Sequence, residues 1–136
     1  MTFVVDASVT LAWCFEDELS QRADEVLERL TTEDAVAPST WPLDVANGLR
    51  SAERRKRLAP GELPGLRQLL SALPIRVEAV SLDGALSEVL EMARALELTA
   101  YDAAYLAVAA RRGLPLATVD DRLRDAAERA GIAVLG

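Results

Sequence analysis

The sequence predicts an α/β fold of three layers, in which an about five-stranded, mainly parallel sheet carries helices on both faces. Three observations support this: five short apolar runs have the length of strands, patterns of helical periodicity separate them, and the breakers between elements are too short to be domain linkers. Strands that alternate with helices pair in parallel, because a parallel pair needs a crossover long enough to hold a helix. At 136 residues the chain fits one domain, residues 1–136.

The first run, FVV (residues 3–5), is a strand that ends on Asp6. Helical periodicity covers residues 19–30, and AVA (35–37) forms the second strand. Two helices follow, over residues 40–58 and 60–73, separated at the APG breaker (59–61). RVEAV (76–80) is the third strand, after the Leu73-Pro74 break. Helices over 82–96 and 99–112 lead through RRGLP into the fourth strand, PLATV (115–119). A last helix over 121–130 precedes the fifth strand, IAVL (132–135).

No apolar run approaches the ~20 residues that span a bilayer. MTFVVDAS runs straight into a strand without the basic and long apolar segments of a secretory signal, so the expectation is a cytoplasmic protein with no membrane attachment. The single cysteine, Cys14, sits between Trp13 and Phe15, allows no internal disulfide and reads as a small core residue. Histidine is absent, which removes Ser-His-Asp and Cys-His catalysis, histidine acid–base chemistry and nearly every zinc site. Chemistry here rests on carboxylates, hydroxyls, lysine and arginine, or a hard metal ion. A net charge of −7 argues against broad, charge-driven nucleic-acid binding but leaves room for a local basic patch.

Ligands of such a sheet bind beyond the carboxyl ends of its strands, where the strand order reverses. Asp6 directly follows the first strand and Asp120 the fourth. Asp102 lies near the start of LTAYDAAYLAVAARRG (98–113), a nearly all-apolar helix, and shares a face with Leu98, Tyr105, Leu106 and Ala109. The short RRGLP connection implies that this helix runs antiparallel to the strand it precedes, which brings Asp102 to the same edge. In STWPLDVANGLRSAERRKR (39–57), Asp44, Asn47, Gly48 and Ser51 form a polar and small stripe, with Asn47 placed to orient acids by hydrogen bonds.

Each acid also has a purely structural reading. Asp102 can complete a capping box with Thr99, Asp6 or Ser8 can cap the next helix, Asp120 can cap DRLRDAAERA, and Asp44 favours a helix start. Together, four carboxylates at one crevice repel unless protonated or bridged by cations. An oxygen-only cluster suits Mg²⁺ or Mn²⁺, and Ser8 and Thr118 can add hydroxyl oxygens. Two other function classes share the layout. A haloacid-dehalogenase-like phosphatase needs a second acid two residues after the first, where this chain has Ser8. A receiver-like or other non-catalytic binding domain would use the acids only as caps or as a regulatory metal site.

The blocks VVDASVTLAWCFEDE, PSTWPLDVANGLRSAERR and LTAYDAAYLAVAARRGLPLATVDDRLRDAAERAGI, in that order, resemble the successive motifs of PIN-domain ribonucleases, specifically the VapC-type toxins of toxin–antitoxin pairs. The resemblance runs from Phe3 to Leu135. It implies a three-layer PIN-like fold and a Mg²⁺- or Mn²⁺-dependent endoribonuclease, usually dimeric, inhibited by a small cognate antitoxin of the VapB type. It further implies that Asp6, Asp102 and Asp120 hold metal, with Asp6 and Asp102 as primary ligands. Asp120 and Asp44 would act through water or a second ion, and Ser8, Asn47 and Thr118 would support the set. At Asp44 the chain departs from the family pattern, which carries Glu there: the charge is kept on a side chain one methylene shorter. Asp121 reads as a helix-start acid.

RNA phosphates need cations, and Arg50, Arg54, Arg55, Lys56 and Arg57 on the tail of the Asp44 helix are the candidates. The alternative is a solvated helix end whose basic residues match the macrodipole. Trp13, Phe15 and Trp41 read first as core. Their second reading is an apolar groove for an antitoxin helix, walled by ELSQRADEVLERL (18–30).

Overall fold

The computed structural model describes residues 1–15 and 20–136. At its centre is a five-stranded sheet of β1 (Thr2–Val5), β2 (Asp34–Pro38), β3 (Ile75–Glu78), β4 (Leu116–Ala117) and β5 (Val134–Leu135). Neighbouring strands are parallel throughout, in the order β3-β2-β1-β4-β5. The chain lays β2 and β3 on one side of β1, then crosses back to place β4 and β5 on the other, so the strand order reverses between β1 and β4. Val4 pairs with Leu116 and Val5 with Ala117, which brings the ends of those two strands level.

Alternation along β1 divides the core between the two faces of the sheet. Phe3 and Val5 pack with Val9 of α1 (Ala7–Cys14) and with Ala23 and Val26 of α2 (Ser20–Arg29). Val4 points the other way, into a cluster with Leu106 and Val108 of α7 (Ala100–Arg112) and Leu123 of α8 (Asp121–Arg129). Both faces are therefore covered, as a parallel sheet requires, giving three layers. Between β2 and β3 run α3 (Trp41–Arg54), a 3₁₀ turn (Pro60–Glu62) and α4 (Leu63–Ser71). After β3, α5 (Leu82–Gly84), a π-helical stretch (Ala85–Val89) and α6 (Leu90–Leu96) follow end to end. Val89 and Ala93 pack against Ala103, Ala104 and Ala107 of α7, so that helix is covered by the sheet on one side and by α6 on another. Its nearly all-apolar composition follows from that double burial.

Several elements differ from the sequence expectation. α1 falls outside the expected helices, because ASVTLAWC has no charged residue and no amphipathic period to mark it. Its start is fixed instead by Asp6, whose carboxylate accepts the Val9 N–H at 3.0 Å. The helix expected over 40–58 stops at Arg54. Lys56 takes a left-handed φ of 59°, and the chain turns back to bury Leu58. The expected helix start at Leu19, and Glu18 and Leu19 of the expected groove wall, lie outside the described residues. Trp13 and Trp41 pack beside the first core cluster, and their indole N–H groups donate to the Ala23 carbonyl (2.7 Å) and the Thr10 hydroxyl (3.0 Å). Among the described residues no helix is long and apolar enough to cross a membrane.

Candidate active site

Where β1 and β4 end side by side, the next residues are Asp6 and Thr118. The Asp6 N–H donates to the Ala117 carbonyl at 3.2 Å, extending the ladder one residue past β1. Asp6 is only 3% exposed. Its carboxylate accepts the Thr118 hydroxyl at 2.5 Å, the Ser8 hydroxyl at 2.7 and 2.9 Å, and the Val9 N–H. Each hydroxyl also accepts an N–H from the connection between β4 and α8: Ser8 from Val119 at 3.1 Å, and Thr118 from Asp120 at 3.0 Å. Burial pushes the Asp6 carboxyl up to about 6. The hydrogen bonds from Thr118, Val9 and Ser8 oppose that rise, and the charge of Asp120 adds to it.

Asp120 caps α8 through Oδ1, which accepts the N–H groups of Arg122 (2.9 Å) and Leu123 (3.4 Å). Its side chain is exposed and Oδ2 has no hydrogen-bond partner among the described residues. The capping reading of this residue is therefore correct, and it leaves one carboxylate oxygen unused.

Asp102 occupies the first turn of α7, where its N–H donates to the Thr99 hydroxyl at 3.2 Å. Thr99 is thus the helix cap, while the return bond that would make Asp102 the second half of a capping box is absent among the described residues. The half-buried Asp102 carboxyl is raised by burial first and then by the charge of Asp120. Arg122 opposes the rise and Asp44 adds to it. Acids from α3, α7 and the β4–α8 connection therefore act on one another electrostatically.

Asp44, in the first turn of α3, accepts the Tyr105 hydroxyl at 2.7 Å. Asn47 is exposed and forms no side-chain hydrogen bond among the described residues, so nothing ties it to the acids. Gly48 serves packing: a Cβ there would stand 2.3 Å from Leu11 Cδ1, so this position is where α3 closes on α1.

A cleft of ≈ 370 Å³ is lined by Ser8 and Asp120 together with Arg55 and Arg57. The Arg57 guanidinium lies 4.9 Å from the centre of the Phe15 ring. The basic run is thus not a single helical tail, as expected, because the turn at Lys56 carries Arg57 back toward α1. Arg50 pairs with Glu53 at 3.5 Å, and neither Arg50 nor Arg54 lines the cleft.

Two partners of the acids were not anticipated. Spacing placed Tyr105 on the face of Asp102, but not its hydrogen bond to Asp44 on another helix. Arg122 acts on Asp102 across space and has no local signature.

The donor set suits a hard divalent cation. It contains only oxygen, and burial first, with the charge of neighbouring acids adding to it, pushes two of its acids toward protonation. Among the described residues no group of three or more acidic or cysteine side chains is arranged to hold an ion by itself. An ion here would keep water in part of its shell, as Mg²⁺ commonly does.

A family model described as PIN domain matches residues 3–129. Similar solved structures include PAE2754 from Pyrobaculum aerophilum, at 26% identity over 98% of this chain and 92% of that one, with a TM-score of 0.70. VapC20 from Mycobacterium tuberculosis, a sarcin-ricin-loop-cleaving toxin, is 17% identical over 91% of this chain and 94% of that one, with a TM-score of 0.68. FitAcB from Neisseria gonorrhoeae is 18% identical over 100% and 97%, with a TM-score of 0.65. For these last two the likeness is one of fold. No curated protein matches the sequence.

Proposed function

The chain belongs to the PIN-domain family, and from that premise we propose that it is a Mg²⁺- or Mn²⁺-dependent endoribonuclease, the toxin of a VapBC-type toxin–antitoxin pair. In this reading it is a single domain that works in the cytoplasm as a homodimer and is inhibited by a small VapB-type antitoxin. A toxin–antitoxin complex from Klebsiella pneumoniae and the FitAB assembly bound to DNA are among the proteins of similar fold, which supports an antitoxin partner. The observation that supports the nuclease reading is that Asp6 and Asp120 directly follow β1 and β4, where the strand order reverses, and that the charge of Asp120 adds to the burial that raises the carboxyls of Asp6 and Asp102.

Asp6, Asp102 and Asp120 would hold the ion, with Asp44 adding its charge. When bound, a divalent cation supplies Lewis-acid polarisation of the scissile phosphate and makes attacking water more acidic. The remaining work falls to side chains. Ser8, Thr118 and the Val9 N–H fix both oxygens of Asp6, so its orientation is set before substrate arrives. Asp120 is held by its cap bonds to α8. Arg55 and Arg57, which line the cleft with Ser8 and Asp120, would bind phosphates flanking the cut and offset the local negative charge.

Incubation of the purified chain with total cellular RNA, with Mg²⁺ or Mn²⁺ and with chelator, tests the reading, and mapping of the cut ends identifies the site. Discrete cleavage that chelator abolishes is the expected result. RNA left intact under all metal conditions, by protein freed of any antitoxin, overturns it.

A further inference from the structure

Tyr105 is buried, with 2% of its surface exposed, in the core cluster between α7 and the sheet. A phenol in such a place needs a hydrogen-bond partner, and here the partner is an acid from another helix: its hydroxyl donates to Asp44 Oδ2 at 2.7 Å. The ring belongs to α7, one turn beyond Asp102, whereas Asp44 belongs to α3. One hydrogen bond therefore ties the acid of α3 to the helix that carries Asp102. Asp44 stands where the family pattern carries the longer Glu, and no other side chain among the described residues donates to it.

We propose that Tyr105 is a positioning residue of the nuclease site, which holds the Asp44 carboxylate in a fixed orientation toward the other acids and so makes the shorter side chain effective. The proposal rests on the nuclease reading. One Asp44 oxygen is committed to the phenol, so the other is the one presented to a cation or its water. Burial first, and the Asp44 carboxylate second, hold the phenol well above its ordinary value, so it remains a donor throughout the working pH range. A supporting hydrogen bond to a ligand group commonly changes metal affinity or activity by about 10- to 100-fold when removed.

The test is a double-mutant cycle of wild type, Tyr105→Phe, Asp44→Asn and the double variant, read by Mn²⁺ calorimetry and by single-turnover cleavage of one RNA. Phenylalanine keeps the ring in the core and leaves half-buried Asp44 open to water, so all four proteins should fold, which thermal unfolding checks. The expected result is that Tyr105→Phe weakens Mn²⁺ affinity by roughly 10-fold and lowers turnover, while adding it to Asp44→Asn has little further effect. Independent effects, whose factors multiply in the double variant, would show that Tyr105 does not act through Asp44 and overturn the proposal. So would unchanged Mn²⁺ affinity in Tyr105→Phe. If wild type binds Mn²⁺ but cuts no RNA, the nuclease reading fails alone and the affinity cycle still decides the role of Tyr105. If wild type binds no Mn²⁺, both fall.

Discussion

Thr118 and Asp6 are joined by a hydroxyl-to-carboxylate hydrogen bond of 2.5 Å, and the same hydroxyl accepts the Asp120 N–H at 3.0 Å. The relationship links the residues just beyond β1 and β4, so the position of one strand-end acid is set by the backbone of the other. It also keeps the Asp6 carboxylate buried. The site therefore carries a desolvation cost in the metal-free protein, and that cost depends on pH.

The carboxyl of Asp6 titrates near 6 in the folded chain against an ordinary 3.8. Between those values the folded protein holds a proton that the unfolded chain has released, so unfolding becomes harder as pH falls from about 6 toward 3.8. Above pH 6 the buried charge costs stability on the order of 3 kcal/mol, from about two pH units at 1.36 kcal/mol each. The raised carboxyl of Asp102 acts in the same direction. Thermal unfolding in chelator should show Tm climbing between pH 7.5 and 4.5, with a flatter profile for Asp6→Asn. A wild-type Tm that falls across this window would contradict the burial of an ionisable Asp6.

Metal should relieve the same strain. One site saturated at a hundred times its Kd stabilises the fold by about 2.7 kcal/mol, since the ion binds only the folded chain. Asp102→Asn should lose most of the Mn²⁺-induced rise in Tm while the metal-free protein stays folded, because Thr99, and not the Asp102 side chain, caps α7. An unaltered metal response would remove Asp102 from the ion's ligands. A metal-free variant that fails to fold would show that the carboxylate has a structural role in the first turn.

The acids were legible in the sequence because each sits where a pattern changes: Asp6 and Asp120 directly after strands, Asp102 in the first turn of a helix. Strand count and parallel pairing were legible for the same reason, from alternation of short apolar runs with helical periods. α1 was not, since a helix buried on nearly every side has no polar face to give it a period. The surroundings of Asn47 were not legible from spacing alone: a stripe at i, i+3, i+4, i+7 says which residues share a face, not what that face meets, and at Gly48 it meets Leu11. The turn at Lys56 escaped because a non-glycine residue at positive φ leaves no mark in composition.

Asp44 separates charge from length. If its contribution to catalysis is electrostatic, acting through an intervening water, Asp44→Glu should retain or raise Mg²⁺-dependent cleavage, whereas Asp44→Asn should slow it by weakening the field on the reacting phosphate and water. The helix start tolerates Asn well, so both variants should fold. Single-turnover cleavage of one RNA at fixed Mg²⁺ distinguishes the cases, and a wild-type rate in Asp44→Asn would strike this residue from the catalytic set.

The last prediction divides the basic run into two pairs. Arg55 and Arg57 line the cleft beside Ser8 and Asp120, whereas Arg50 is paired with Glu53 and Arg54 lies outside the cleft. Charge alone makes the pairs equal, but geometry does not. Replacing Arg55 and Arg57 with Gln should weaken RNA binding in chelator and flatten its salt dependence by roughly 0.7 per lost phosphate contact. The same change at Arg50 and Arg54 should have a smaller effect, and neither double variant should alter Mn²⁺ affinity. Losing the Arg57–Phe15 contact costs only about 0.5–1 kcal/mol, so the fold should survive the substitution. Binding isotherms of a short RNA at several salt concentrations compare the two variants directly. Equal slopes would mean that the run acts as a diffuse positive field, and the turn at Lys56 would then have no part in placing phosphate beside the acids.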